Sequence, residues 1–561
     1  VINRWSGFLY LAWIVTAIQP IAHGEQVQFQ LVDWTAESGV DFIHTDGGCG
    51  RHYIVETVSA GLALFDYNND GHVDLYFLNG APLPGYELKD TPPMNRLYRN
   101  NGGWSFTDVT LEAGVGDLGY GLGVAVGDYN GDGNQDLYLN NFGPNVLMKN
   151  NGDGTFSDVT EAAGVRNGSR VGAGACFFDM DADDDLDLYV ANYLDFSFDK
   201  HIEQTFEGVP AYVNPRRYSP VPDTLYRNNG DGTFTDVSKE SGIGLHAGWG
   251  MGIVCCDFDN DRDTDVFIGN DVAENFLFEN DGNGRFEEIG LLTGVAFDMH
   301  GDEQGSMGVD TGDYDNDGLF DFYVTSYQRQ LATLYRNLGN GFFEDVTIKT
   351  GAGIGTLSLV TWGNSFVDFD LDGDRDIFVA CGHLQDTVEQ YDDSTAYKAP
   401  NILFLNDGKG RFKALGEEAG SGMAIAESSR GAGFDDLDND GDVDVVILNS
   451  RARATLLKND TQKQHHWLQI RLRGNGGNLY AVGARVGVKT STGVLWDEVH
   501  SGRGYQSHYG DRLYFGLGDA SDVEWVRVIW PGADGRQEEF SIDQVDCEVI
   551  LRFGQGKPLE S

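Results

Sequence analysis

Positive charge is scarce in this chain. Its 38 lysines and arginines stand against 88 aspartates and glutamates, a formal net charge of -50. Nucleic acid and anionic lipid are bound through basic patches, so a surface of this sign excludes both as partners. Long hydrophobic runs are missing too. Past the first residues no stretch approaches the roughly 18 apolar residues of a membrane span, so no membrane insertion of the mature chain is expected. Cysteine is sparse and scattered: Cys49, Cys176, Cys255, Cys256, Cys381 and Cys547 show no framework spacing. Those at 176, 255 and 256 lie in apolar runs that favour buried free thiols. No Ser-His-Asp order, phosphate-binding loop or dinucleotide fingerprint is present, so no catalytic residue is assigned and a non-enzyme is expected. With 41% hydrophobic residues, 12% aromatics and 76 glycines the chain is nonetheless a folded protein with a large core.

The acidic excess is concentrated in one motif, Asp-x-(Asp/Asn)-x-Asp-Gly-x-x-Asp, which recurs seven times. Its positions 1, 3, 5 and 9 are Asp66, Asn68, Asp70 and Asp74, then Asp128, Asn130, Asp132 and Asp136, then Asp179, Asp181, Asp183 and Asp187. Further on they are Asp257, Asp259, Asp261 and Asp265, then Asp313, Asp315, Asp317 and Asp321. The last two sets are Asp368, Asp370, Asp372 and Asp376, and Asp436, Asp438, Asp440 and Asp444. Alternating oxygen side chains closed by a carboxylate at position 9 can surround one hard cation, so up to seven Ca²⁺ sites are expected. Seven bound Ca²⁺ would reduce the net charge to about -36. The loops at Asp313, Asp368 and Asp436 keep four aspartates and the glycine and rank first. Asn68 and Asn130 trade a charge for a neutral oxygen, Asp184 replaces one glycine, and Arg262 replaces another, making the loop at Asp257 the weakest. A structural role for the ion is expected ahead of direct ligand contact.

A strand precedes each loop (Gly121 to Gly127) and another follows it (Asp136 to Asn140), and then comes a hairpin with an Asn/Gly/Asp turn, as in Asn145 to Thr160. Six hairpins are complete, while the seventh unit breaks off at Asn459 without a fourth strand. Phe29 to Val40 repeats the fourth-strand text of Phe156 to Val165 with no acidic loop before it. The reading is therefore an all-β chain, a seven-bladed β-propeller over residues 25–462 closed by the N-terminal strand. Strand-like runs from Trp467 to Trp530 predict a small C-terminal antiparallel β-domain over 463–555, with 556–561 as a tail. Residues 1–24, with Arg4, an apolar run from Phe8 to Ile18 and Ala22-His23-Gly24, read as a signal peptide and predict a secreted, periplasmic or cell-surface protein beginning near Glu25.

The repeated text of Leu225 to Ser238, together with Ala481 to Val486, Ser501 to Tyr505, Tyr514 to Gly518 and Trp530 to Gly532, resembles the cartilage-acidic-protein-like family. Its members join an FG-GAP/VCBS-repeat propeller to an ASPIC/UnbV domain. The resemblance implies calcium-dependent structure, extracellular placement and, by similarity to the integrin propeller, binding of other macromolecules. The family's third-blade insertion often carries a cysteine pair; residues 195–222 hold none, so a disulfide-pinned loop does not carry over.

The long insertions 80–93, 195–222 and 382–399 must emerge opposite the acidic loops, where recognition is expected. The second holds Phe196, Phe198, Phe206, Tyr212, Arg216, Arg217 and Tyr218, which would form a groove for a glycan or acidic protein partner, or else cover the propeller mouth or pack on the C-terminal domain. His44, Cys49, Arg51, His52, Glu56, His383 and Tyr391 reach the same face and raise the question of a transition metal or acid-base pair. Asn167 and Asn459 head glycosylation sequons. The expected function is an adhesion or recognition scaffold for an extracellular glycan or protein; the alternatives are a secreted enzyme acting on a polymer and an assembly or maturation factor.

Overall fold

Every acidic loop joins the first two strands of a four-stranded antiparallel sheet, and the unit occurs seven times in the computed structural model, which describes residues 29–87, 91–532 and 535–559. The expected leader lies outside these residues. Blade 1 comprises Leu62–Phe65, Asp74–Phe77, Arg96–Asn100 and Phe106–Asp108. Blades 2 to 6 begin with Tyr120–Gly127, Arg170–Phe178, Gly250–Cys256, Val309–Gly312 and Thr361–Val367. Blade 7 is built from Ser429–Asp435, Asp444–Asn449, Thr455–Asn459 and, as the repeat text requires, the N-terminal Leu31–Asp33. Leu31 pairs with Asn459 and Asp33 with Leu457, antiparallel. Each first strand touches that of the next blade and the seventh touches the first, which closes a β-propeller. Near the axis the backbones are too close for side chains: a Cβ on Gly123 would lie 1.9 Å from the Ala173 carbonyl oxygen.

A repeated side-chain latch joins the blades. The position 9 aspartate of each loop is buried at the start of the second strand. In blade 5, Asp321 accepts the backbone N–H of Asn337 at 2.8 Å and that of Tyr314 at 3.2 Å. The Asn337 amide then donates to Phe320 O at 3.1 Å and across the blade boundary to Phe258 O at 2.8 Å. Asn100, Asn150, Asn228, Asn280, Asn406 and Asn459 make the same crossing bond, onto Leu437, Tyr67, Tyr129, Met180, Tyr314 and Phe369. The bond from Asn100 to Leu437 spans the seam between the first and last blades. Asn459 is fully buried in this role, so its sequon is not available to a glycan in the folded protein.

The C-terminal module has two sheets. One orders Arg512–Gly518, His466–Arg473 and Cys547–Arg552; the other orders Val494–Glu498, Arg485–Lys489, Trp525–Ile529, Gln537–Phe540 and Lys557–Pro558. Two details differ from the sequence reading. The pairing of Leu468–Arg473 with Cys547–Arg552 is parallel, because the connection between these strands passes through the second sheet. Lys557 and Pro558, expected in a tail, extend that second sheet.

The module sits on the acidic-loop face, not on the insertion face: Tyr480 donates to Gly133 O at 3.1 Å, and Gln469 donates to Asp436 at 2.7 Å. From it, residues 500–510 enter the propeller axis. Leu64 N donates to His508 O at 2.9 Å, Val124 N to Gln506 O at 3.2 Å, and Gly504 N to Val309 O at 2.9 Å. His500 Nδ1 donates to Cys255 O at 3.0 Å, and Tyr509 to Asn364 O at 2.9 Å. Ser501 bonds both Val126 and Phe177, and the Tyr509 ring packs 5.2 Å from Phe434, so the plug meets all seven blades. Its one long cation, Arg503, is buried and paired with Asp310 at 2.6 Å.

Asn337→Ala removes one latch and leaves the Phe258 and Phe320 carbonyls without that donor. The substitution is expected to cost about 2–4 kcal/mol, read as a lowered melting temperature. Asn229→Ala, in an exposed turn, should cost no more than about 0.5 kcal/mol. Equal effects from the two would refute the latch.

Candidate functional site

In the acidic loops, positions 4 and 6 both take the left-handed conformation. At position 6 this includes Asp184 (φ 72°) and Arg262 (φ 84°), and at position 4 Asn69, Asn260, Asn316 and Asn439. Two left-handed residues fold the loop so that the position 1 carboxylate caps its own turn: Asp66 accepts Asp70 N at 3.0 Å and Gly71 N at 2.8 Å. The carboxylates of positions 1, 3 and 9 converge in five loops, with ligand oxygens within 4.8 Å of one another: those starting at Asp179, Asp257, Asp313, Asp368 and Asp436. Asn68 and Asn130 occupy position 3 in the other two, which therefore bring two carboxylates together. Position 5 lies outside these triads; Asp70, Asp132, Asp183, Asp261, Asp317, Asp372 and Asp440 accept the N–H two residues ahead.

Crowding acidifies nothing here; it does the reverse. Burial, aided by neighbouring carboxylates, pushes Asp313 and Asp370 up to about 7, and Asp179 and Asp257 up to about 6. One oxygen each of Asp181, Asp315, Asp368, Asp370 and Asp438 is buried with no hydrogen-bond partner. Such a donor set fits a divalent cation, which would take the orphaned oxygens as ligands.

The structure also separates loops that the sequence ranks together. Arg336 pairs with Asp315 at 2.6 Å and Asp317 at 2.8 Å, and Lys458 and Lys463 engage Asp438 and Asp440. In blade 6 the third-strand position of Arg336 and Lys458 is Leu405, and no ion pair among the described residues reaches Asp368, Asp370, Asp372 or Asp376. The loop at Asp257 forms its triad despite Arg262, whose guanidinium lies against Gly535 of the C-terminal module.

On the opposite face the three insertions meet the connection from the N-terminal strand. Arg451 is their hub: it pairs with Asp46, with Asp386 at 2.6 Å and with Glu56 at 3.7 Å, and donates to the Tyr212 hydroxyl at 2.6 Å. His52 sits 3.4 Å from Asp386, which raises the imidazole pKa. His44 is buried and pushed down to about 3, and His383 to about 4, chiefly by burial. Glu56 is tied to Tyr53 N at 3.0 Å and to the Tyr212 hydroxyl at 2.9 Å. Cys49 lies apart, its thiol against Pro84 O at 3.3 Å. The structure thus makes these residues braces of the face, and the ligand triads among the described residues are all aspartate.

Between the braces lies a cavity of about 350 Å³, walled by Tyr193, Phe206, Tyr212, Met307, Tyr327 and Trp362. Tyr505 of the plug packs under Trp362, with ring centroids 5.0 Å apart. Of the aromatics flagged in the second insertion, Phe206 and Tyr212 reach the cavity, whereas Phe196, Phe198 and Tyr218 cluster around Tyr53 and Phe142 as a cover. Phe206 stacks on Tyr391 of the third insertion at 5.5 Å.

Comparison with known proteins gives the following. The family model for the FG-GAP-like repeat matches residues 66–139, 128–190, 213–268, 257–324, 313–379 and 368–447, and that for ASPIC and UnbV matches 474–558. Cartilage acidic protein 1 of Xenopus tropicalis is 26% identical over 521 residues, covering 88% of this chain and 73% of its own. The Homo sapiens protein of that name is 25% identical, covering 98% and 78%. Among solved structures, the BP39L lectin from Burkholderia pseudomallei aligns over 72% of this chain and 97% of its own at 10% identity, with a TM-score of 0.45.

Arg451→Met keeps the length of the side chain and strips the cation from between three carboxylates. Breaking such a cluster is expected to cost about 3–5 kcal/mol, measured by denaturant unfolding; a loss below about 1 kcal/mol would show that Arg451 does not brace this face.

Proposed function

The chain belongs to the cartilage-acidic-protein-like family, FG-GAP repeats followed by an ASPIC/UnbV module, and from that premise we propose an exported, calcium-stabilised propeller that recognises an extracellular glycan or protein. The aromatic cavity on the insertion face carries this reading. It is concave, largely apolar, built by connections of several blades and placed on the propeller ring, the usual make-up of a binding site. Calcium has the structural part: the acidic triads lie under the C-terminal module, away from the cavity. Export accords with this, because extracellular calcium modules work at dissociation constants of about 0.1–1 mM, concentrations a cytosol does not offer.

The role is binding and not turnover. The histidines flagged on this face serve as braces. His52 is held by Asp386, while His383 is buried and accepts Gln385 N on Nδ1 at 2.9 Å.

Two measurements test the reading. Chelation should lower the melting temperature and calcium should restore it; a site held at a thousandfold its Kd adds roughly 4 kcal/mol. Asp370→Asn relieves repulsion between carboxylates, so it should raise the melting temperature of the chelated protein and lower that of the calcium-loaded one. An unchanged curve after verified metal removal would rule out structural calcium. Separately, the chain from residue 25 onward is screened against immobilised extracellular glycans and proteins, with product analysis of each hit. Binding without products, lost in Phe206→Ala, is expected; new products would make the protein an enzyme.

A further inference from the structure

One carboxylate in the cavity has no ion-pair partner among the described residues, although Arg216 stands near enough to act on it through space. Asp271, on the second strand of blade 4, accepts the Tyr193 hydroxyl on Oδ2 at 2.7 Å, and among the described residues it pairs with no cation. The nearby Arg216 guanidinium is spent elsewhere, on Val272 O at 2.8 Å and on Glu303. The same cavity is lined by the rings of Tyr193, Phe206, Tyr212, Tyr327 and Trp362. A half-buried carboxylate favours an opposite charge, and aromatic faces attract cations within about 6 Å of their centroids.

Three of the cavity's other polar groups are already engaged within the protein, which counts against a sugar as its occupant. The Gln385 carboxamide is used up on Tyr212, accepting its N–H at 2.8 Å and donating to its carbonyl at 3.0 Å. Gln330 is used up in the same way, on Gly305 N at 2.8 Å and Glu303 O at 3.1 Å. The Trp362 N–H goes to Gly382 O at 2.6 Å. A polyol needs many free donors and acceptors, while an extended cationic side chain needs one anion and apolar walls. The net charge of -50 adds a long-range field that draws basic partners.

We propose that this cavity receives a lysine or arginine side chain of a protein partner, with Asp271 as its counter-charge and the aromatic rings as its walls. The proposal rests on the recognition reading above and narrows its partner from glycan or protein to a basic protein segment.

Calorimetric titration of the calcium-loaded mature chain tests it, with the N-acetyl methylamides of lysine, arginine and norleucine and, as a second source of an ammonium group, glucosamine beside glucose. Lysine or arginine should bind at least tenfold more tightly than norleucine, and Asp271→Asn should erase that preference. Phe206→Ala, at a half-exposed ring, should weaken the cationic probes at least threefold; it decides the matter alongside norleucine if Asp271→Asn does not fold. Equal binding of norleucine, or an Asp271→Asn protein that keeps the preference, overturns the proposal, and glucosamine binding more tightly than both amino acids overturns the protein source. Screen hits that lack basic segments yet depend on Phe206 would sink the cation assignment and leave recognition standing. A screen with no Phe206-dependent hit would remove the recognition reading itself.

Discussion

The ring depends on one repeated pair, a buried aspartate and the asparagine that reaches across from it to the preceding blade. Stacked sheets have no fixed angular relation through apolar packing alone, because side chains from two sheets interdigitate in several ways. A directional hydrogen bond into a buried carbonyl fixes the relation, since leaving that carbonyl unpaired costs more than the bond itself gains. The same aspartate is position 9 of the acidic loop. Asp321 therefore serves both the joint between blades 4 and 5 and the carboxylate triad of Asp313 and Asp315. Occupation of a triad by a cation would act on a residue that already holds two blades in register, so loop and joint are one mechanical unit.

The axis is closed by a different device. A seven-fold ring leaves a central channel, and here a segment of the C-terminal module fills it with backbone and side-chain hydrogen bonds to the surrounding first strands. Burying Arg503 is tolerable because Asp310 meets it directly and Thr311 O takes a further N–H at 3.1 Å. Since the plug enters from the acidic-loop face and its Tyr505 packs against Trp362, one wall of the cavity on the far face is backed by a residue of the other module. The ASPIC/UnbV module is therefore not an independent appendage.

Local text made much of the fold legible. The loop, the hairpin and the stray fourth strand at the N-terminus repeat closely enough to give the blade and its closure, and Leu31–Asp33 lies where the text places it. The second left-handed position of the loop, position 4, was not read from the motif, because it holds Asn, Gly, Ala and Leu in different copies. What stayed hidden is non-local. Asn337 reads as a turn residue beside the Asn/Gly hairpin, because the bond that matters goes to an acidic loop 79 positions away. Arg503 and Tyr505 stand in a glycine-rich segment with no hydrophobic period, and only docking turns it into a core element. Arg451 and Asp271 belong to no motif; their roles arise where connections from different blades converge.

Charge accounts for the division between the faces. Seven clustered carboxylate loops on one side would repel each other across the ring mouth, and the C-terminal module answers with arginines placed over them. Arg471 stands 3.9 Å from Asp66, Arg512 3.7 Å from Asp436, and Arg485 donates to the carbonyl of Gly318. These distances are too long or too indirect to replace a cation at the triads, yet at low dielectric they soften the field between loops. Covering that face with a module leaves the opposite one as the open end of the propeller. There the insertions are braced by Arg451, and Asp271, with no ion pair among the described residues, faces the cavity.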